Sequence, residues 1–225
     1  KSPNIILDDD DFEASISKGV IHVMSNSGQS CNAPTRMLVP RDRHDEALEI
    51  AKTITADIVV GDPIKVTSDL GPLVSEVQYQ KVQNLINTGV NEGAQLVIGG
   101  TGKPDGLSKG FYVKPTVFGH VNNEMTIARE EIFGPVLSII SYNSLEEAIF
   151  IANDTDYGLA AYVTGKDTDK ALQLARGLRA GQVSINYGSS GPAAPFGGFK
   201  QSGNGREKAE WGLGEFLEVK AIMGK

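Results

Sequence analysis

Short apolar runs alternate with amphipathic segments along the chain, and this alternation restricts the fold more than any other feature of the sequence. Six runs have the length and composition of strands: residues 4–7, 36–39, 95–98, 136–140, 160–164 and 182–185. Between them, apolar residues recur every three to four positions, as they do on one face of a helix. Strands that alternate with helices predict an α/β fold, in which a layered, open and mostly parallel sheet has flanking helices.

Four segments carry the helical pattern: residues 12–24, 47–54, 76–90 and 171–178. Asp42 and Asp167 stand near the starts of two of these helices, where a carboxylate can accept hydrogen bonds from unpaired backbone N–H groups. Residues 216–223 alternate between apolar and polar side chains, which is a strand pattern at a chain end. Such a strand completes the chain's own sheet or pairs with another element or subunit, and the pattern leaves both alternatives open.

Charge and hydropathy exclude several classes of partner. The formal net charge of −7 would repel a phosphate backbone, so no nucleic-acid partner is predicted. The sequence has no run of eighteen apolar residues, and its first residues do not resemble a signal peptide. The sequence therefore predicts a cytoplasmic protein with no membrane partner.

Cys31, the only cysteine, follows a polar turn that contains a glycine. Structural cysteines usually lie among aliphatic residues, whereas small polar neighbours leave room for a substrate and a tight turn can direct N–H groups at an oxyanion. A single cysteine cannot form an internal disulfide, and His22, His44 and His120 lack the spacing of metal ligands, so no metal site is predicted. At this point a reactive thiol and a packed structural cysteine are both open.

Three motifs resemble hallmarks of the aldehyde dehydrogenase superfamily, in the order and approximate spacing of that family. They are NSGQSC at residues 26–31, EEIFGPV at residues 130–136, and PFGGFKQSG at residues 195–203 with Gly-Arg-Glu at residues 205–207. The first residues, KSPNII, resemble the segment that follows the family's Glu-Leu-Gly-Gly. The resemblance covers the whole chain and implies an aldehyde dehydrogenase-like catalytic domain.

The resemblance also implies a chemistry. In this family a cysteine thiolate adds to the aldehyde carbonyl, the thiohemiacetal passes a hydride to a nicotinamide, and water hydrolyses the resulting thioester to the acid. Cys31 matches the nucleophile, which implies a small-molecule aldehyde as substrate and NAD or NADP as cofactor. Glu131 matches the residue that binds the nicotinamide ribose, and Phe133 matches an aromatic residue that positions the nicotinamide ring.

Six further residues resemble functional positions of the family, although exposure to solvent or packing in the core would also explain most of them. They are Gln78 and Lys81 toward the cofactor, Ser30, Asn32 and Phe196 in the substrate pocket, and Glu207 on a proton path.

The resemblance divides the chain at residue 204. Residues 1–204 would form the thiol-bearing catalytic domain, and residues 205–225 a helix and strand that return to the rest of the enzyme and to the interface of a homo-oligomer, a dimer or a tetramer. The family's general base lies four residues before Lys1, and its N-terminal dinucleotide-binding domain and oxyanion asparagine are also absent. Because residue 1 is not Met, we expect a truncated chain with a reactive thiol but negligible dehydrogenase activity.

Two other functions remain open. A non-catalytic scaffold could use the same fold for assembly, and a cysteine esterase could use the same nucleophile without a cofactor. Rapid alkylation of Cys31 that an aldehyde prevents would favour either enzyme over the scaffold. Hydride transfer that depends on a cofactor would separate the dehydrogenase from the esterase.

Overall fold

A computed structural model describes residues 1–224, and in it strands and helices alternate as the sequence predicts. The elements in chain order are β1 (Pro3–Ile6), α1 (Phe12–Met24), β2 (Arg36–Pro40), α2 (His44–Ala56), α3 (Glu76–Asn91), β3 (Gln95–Ile98), β4 (Thr116–Gly119), α4 (Thr126–Arg129), β5 (Val136–Tyr142), α5 (Leu145–Asn153), β6 (Ala160–Thr164), α6 (Thr168–Gly177), β7 (Gln182–Ile185) and α7 (Ala209–Gly214). Among these residues, no helix has the length and hydropathy needed to cross a membrane.

The seven strands form one sheet in the order β3-β4-β5-β2-β1-β6-β7. All neighbours are parallel except β3 and β4. The prediction of a mostly parallel, open α/β sheet is confirmed. β4 was not among the predicted strands, because only Val117 and Phe118 of its four residues are strongly apolar; pairing with strands on both sides holds it in the sheet.

Both faces of the central strands are covered. Met37 and Val39 of β2 pack against α1 and α2, whereas Leu38 packs with α5 and α6 on the opposite face. Alternate residues of a strand point to opposite sides, so a strand between two helical layers buries every side chain. This explains why β1, β2 and β6 are buried at every position.

The two predicted helix caps differ in outcome. Asp167 caps α6, because its carboxylate accepts the N–H of Lys170 at 2.9 Å. The prediction for Asp42 is wrong. Asp42 lies inside a 3-10 turn, Arg41–Arg43, which leads directly into α2, and no side chain caps that helix.

The C-terminal residues form the helix α7 but no strand within residues 1–224. Residues 216–224 are exposed and have no regular structure, so they do not complete this chain's own sheet. Pairing of this segment with another subunit stays a prediction, as does the domain boundary at residue 204.

Candidate active site

Cys31 lies in the connection between α1 and β2, and the local backbone directs it away from the core. A 3-10 turn, Ser25–Gly28, follows α1, with left-handed φ angles at Asn26 (52°), Ser27 (55°) and Gly28 (70°). Left-handed residues break the direction of the helix, and asparagine and glycine adopt that conformation more readily than other residues do. As a result the Cys31 thiol is free and exposed.

Two hydrogen bonds tie this turn to the loop that precedes α3. The Ser27 hydroxyl donates to the carbonyl of Gly71 at 2.9 Å. The side-chain oxygen of Gln29 accepts the N–H of Val74, also at 2.9 Å. The turn is therefore anchored on both sides of Gly28, which holds the backbone that leads to Cys31 in place.

The segment from Ser25 to Asn32, called the cysteine turn below, packs directly on the backbone of the second motif. A Cβ placed on Gly28 would overlap the carbonyl of Gly134. The absence of a side chain at residue 28 thus permits the close approach that brings Cys31 beside Glu131.

Cys31 and Glu131 line one cleft of about 230 Å³. The other residues that line it are Lys1, Ser2, Tyr157, Leu159, Gln201 and Ser202. Cys31 precedes β2, and Glu131 precedes β5, so the cleft lies at the edge where these parallel strands begin. The cleft therefore combines an accessible nucleophilic thiol with an exposed carboxylate that can accept hydrogen bonds.

Lys1 is a residue of this cleft that the sequence did not single out. Its side chain is buried, with the residue 7% exposed, and Nζ donates to the Thr35 hydroxyl at 2.8 Å. Burial, and next the guanidinium of Arg36, lower the pKa of the Lys1 ammonium to about 7, whereas the charge of Glu131 raises it. Near neutral pH this amine can therefore exist with or without its proton beside Cys31.

Gln78 supports the second motif from the first turn of α3. Its Nε2 donates to the carbonyls of Ile132 (2.8 Å) and Phe133 (2.9 Å). Phe133 is left-handed, with φ 55°, which is uncommon for a bulky residue. The Gln78 amide thus stabilises the backbone beside Glu131, and a direct contact with a cofactor stays a prediction.

The residues beside Cys31 meet an aromatic cluster. Ser30 and Asn32 are half-buried, and the Tyr162 hydroxyl donates to the Asn32 carbonyl at 3.1 Å. The Tyr162 ring lies 5.3 Å from those of His22 and Tyr187, between ring centroids. Sequence reasoning did not identify Tyr162, because no local pattern shows that β6 reaches the cysteine turn.

Seven of the nine predicted site residues do not line the Cys31 cleft: Ser30, Asn32, Gln78, Lys81, Phe133, Phe196 and Glu207. Lys81 is exposed on α3, where it lines an open hollow with Glu130. Phe196 is half-buried, and its backbone N–H and carbonyl pair with those of Glu207 at 3.0 and 2.7 Å. The side chain of Glu207 is exposed. Their roles in cofactor binding, substrate binding and proton transfer stay predictions.

Comparisons with known proteins agree with these motifs. The family model for the aldehyde dehydrogenase family matches residues 1–222. A 3-succinoylsemialdehyde-pyridine dehydrogenase from a Pseudomonas species is 53% identical over 224 residues, which cover 100% of this chain and 47% of that protein. A putative aldehyde dehydrogenase from Staphylococcus epidermidis is 50% identical, with the same coverage.

Solved structures show the same fold. A mutant of aldehyde dehydrogenase C (AldC) from Pseudomonas syringae, in complex with NAD+ and octanal, is 53% identical with a TM-score of 0.96, over 99% of this chain and 46% of that one. An aldehyde dehydrogenase from Mycobacterium tuberculosis, in complex with NAD+, is 46% identical with a TM-score of 0.93, over 96% of this chain and 44% of that one. The chain thus spans a little under half the length of these relatives, and it belongs to the aldehyde dehydrogenase family.

Proposed function

We propose that the protein containing this chain oxidises a small-molecule aldehyde to a carboxylic acid, with NAD or NADP as the hydride acceptor and Cys31 as the nucleophile. The observation that carries the proposal is the exposed Cys31 thiol in one cleft with Glu131. Membership of the aldehyde dehydrogenase family supports it.

Covalent catalysis by Cys31 divides the reaction into two easier steps. The thiolate adds to the carbonyl carbon, so that a C–S bond forms and the oxygen takes the negative charge, which backbone N–H groups of the cysteine turn would stabilise. Loss of a hydride turns this thiohemiacetal into a thioester. Water then attacks the thioester carbon, the C–S bond breaks, and the acid leaves while Cys31 regains its thiol.

The residues around Glu131 fit a nicotinamide cofactor. Glu131 is exposed at the cleft, where its carboxylate can accept hydrogen bonds from ribose hydroxyls. Gln78 fixes the backbone of Phe133, whose ring would limit the positions open to the nicotinamide. When bound there, an oxidised nicotinamide would supply the hydride-accepting chemistry. Two structural neighbours were solved with NAD+, which supports a nicotinamide cofactor.

Residues outside this chain would complete the site, because the chain covers 47% of the length of its curated relatives. We therefore propose that residues 1–225 alone keep a reactive thiol but oxidise aldehydes very slowly. The same proposal includes a cytoplasmic homo-oligomer in which residues 216–223 pair across subunits. Size measurement of the intact protein by light scattering, before and after deletion of residues 216–225, tests that pairing.

Alkylation tests the nucleophile, because Cys31 is the only cysteine of the chain. We expect one equivalent of iodoacetamide to react rapidly, aldehyde to slow the reaction, and oxidation by the intact protein to stop when Cys31 is labelled. Cys31→Ser should lower turnover by more than about 10³-fold, whereas Ser25→Ala, at an exposed residue of the same turn, is the control. Aldehyde oxidation that survives in Cys31→Ser would overturn the proposal.

Cofactor dependence separates the remaining functions. Aldehyde-dependent formation of reduced nicotinamide supports the dehydrogenase. Hydrolysis of an ester without cofactor, with no oxidation of any aldehyde tested, would identify an esterase instead. Slow alkylation of Cys31 that aldehyde does not change, together with the absence of both activities, would identify a scaffold.

A further inference from the structure

A group of side chains of the types that bind metal ions lies at the opposite edge of the sheet from the Cys31 cleft. His44 and Asp45 begin α2, and His120 directly follows β4. The two imidazole rings lie 4.5 Å apart, centroid to centroid. The sequence predicted no metal ligands because its histidines lack ligand spacing, yet the fold joins two of them across 76 positions.

One ring nitrogen in this group is buried without a partner. His44 is only 5% exposed, and its Nδ1 has no hydrogen-bond partner among residues 1–224. Its Nε2 accepts the backbone N–H of His120 at 3.3 Å. Buried polar atoms in folded proteins nearly always have a partner, and the nearest acceptor for the Nδ1 proton is Asp45 Oδ1, at the long distance of 3.5 Å.

The unpaired nitrogen points at a carboxylate that a second imidazole shares. Asp45 Oδ1 lies 3.5 Å from His44 Nδ1 and 3.9 Å from His120 Nε2. One ligand atom from each of the three side chains lies within 4.8 Å of the other two. Tetrahedral zinc with bonds of 2.0–2.1 Å would separate its ligand atoms by roughly 3.3 Å. Small movements of Asp45 and His120, both exposed, would close the difference.

We propose that His44, Asp45 and His120 form a binding site for a divalent transition-metal ion of the zinc class. Two imidazoles and one carboxylate are ligands that zinc prefers, and a fourth position would stay open to water. The ion would replace the proton that His44 Nδ1 carries while Nε2 accepts a hydrogen bond.

An ion at this site would need the lone pair of His44 Nδ1, and so the neutral imidazole. An ion on Nδ1 leaves the ring proton on Nε2, which faces the N–H of His120. Binding must therefore release that 3.3 Å contact, and the chemical shift of the His120 amide should report it.

The position of the site predicts that a bound ion would affect stability. An ion there would join the start of α2 to the residue after β4. A ligand that binds only the folded state stabilises it in proportion to the logarithm of its concentration over Kd. We therefore expect the melting temperature to rise with added zinc.

The test is a metal titration of the purified protein in a Cys31→Ser background, because the exposed thiol would otherwise bind zinc itself. We expect one Co²⁺ or Zn²⁺ per chain, with visible Co²⁺ absorption that lacks a strong sulfur charge-transfer band. His120→Ala and Asp45→Asn change exposed side chains, so they should fold, and each should weaken binding by about 10-fold or more.

Two controls match these variants by residue type. His22→Ala removes the histidine outside the site, and Asp42→Asn removes an acidic residue three positions before Asp45; both should keep full affinity and the zinc-dependent rise in melting temperature. The proposal is overturned by the absence of saturable binding, by equal affinity in His120→Ala and His22→Ala, or by a His120 amide that does not respond to zinc.

Discussion

Replacement of Gln78 by leucine would test how the second motif is held in place. The substitution removes the Nε2 donor that reaches the carbonyls of Ile132 at 2.8 Å and Phe133 at 2.9 Å. A hydrogen bond contributes about 0.5–1.5 kcal/mol net, so the loss of two should cost about 1–3 kcal/mol. A left-handed bulky residue stores strain of about 1–3 kcal/mol. The two magnitudes are similar, so without Gln78 nothing offsets this strain, and we expect the backbone at Phe133 to be held less firmly.

Unfolding in urea and cofactor titration measure the two consequences. In Gln78→Leu, the free energy of unfolding should fall by about 1–3 kcal/mol. Kd for the dinucleotide in the intact protein should rise by up to about 100-fold, the equivalent of the same free energy. Gln80→Leu is the matched control, because Gln80 is exposed on the same helix. It should change neither quantity appreciably.

The pair of measurements separates support of the backbone from direct contact with the cofactor. If Gln78 supports the backbone, the free energy of unfolding and the affinity for the cofactor should fall together. Weaker cofactor binding with unchanged stability would mean that Gln78 contacts the cofactor, as its resemblance to a family position suggests. A Gln78→Leu variant as stable as Gln80→Leu would refute the reasoning from the two hydrogen bonds.

Three further substitutions test other contacts. Gly28→Ala places a Cβ at φ 70° and against a backbone carbonyl, so we expect a loss of more than about 1–3 kcal/mol and a change in the alkylation rate of Cys31; a neutral effect in urea would contradict the close packing. Tyr162→Phe removes one hydrogen bond to the cysteine turn and should cost about 1 kcal/mol; an unchanged alkylation rate would show that the hydroxyl does not position the thiol. Arg129 lowers the pKa of Asp154, so this pair stabilises the folded state above the ordinary pKa of an aspartate and less as the pH falls. Asp154→Asn should therefore flatten the loss of stability below about pH 5, and an unchanged slope would exclude that contribution.

The sequence predicts the sheet well where a strand lies between two helical layers. Residues 36–39 and 136–140 are mostly apolar, apart from Arg36 and Ser138, because both faces of β2 and β5 are buried. β4 has no such run, and its pairing partners rather than its own residues make it a strand. Residues 216–223 have the alternating pattern of a strand, but they pair with no strand among the described residues and so form none there.

The residues of the candidate site also fall into those that the sequence predicts and those that it does not. Cys31 and Glu131 lie in motifs, and the fold brings them into one cleft, so local sequence was enough to name them. Lys1 and Tyr162 act through contacts with residues far along the chain, Thr35 and Asn32. Such contacts depend on the order of strands in the sheet, which no short motif contains.

The glycines of the first two motifs show what a motif can encode beyond its reactive residue. Gly28 leaves space for the carbonyl of Gly134, and a Cβ on Gly134 would lie 2.6 Å from a methyl of Val82 on α3. The cysteine turn, the second motif and α3 are thus stacked through two residues that have no side chain. A methyl group at either position would have to separate two of these three layers, so Gly134→Ala should disturb Cys31 in the same direction as Gly28→Ala. If only the variant at residue 28 changed the alkylation rate, the thiol would depend on its own turn and not on the stack.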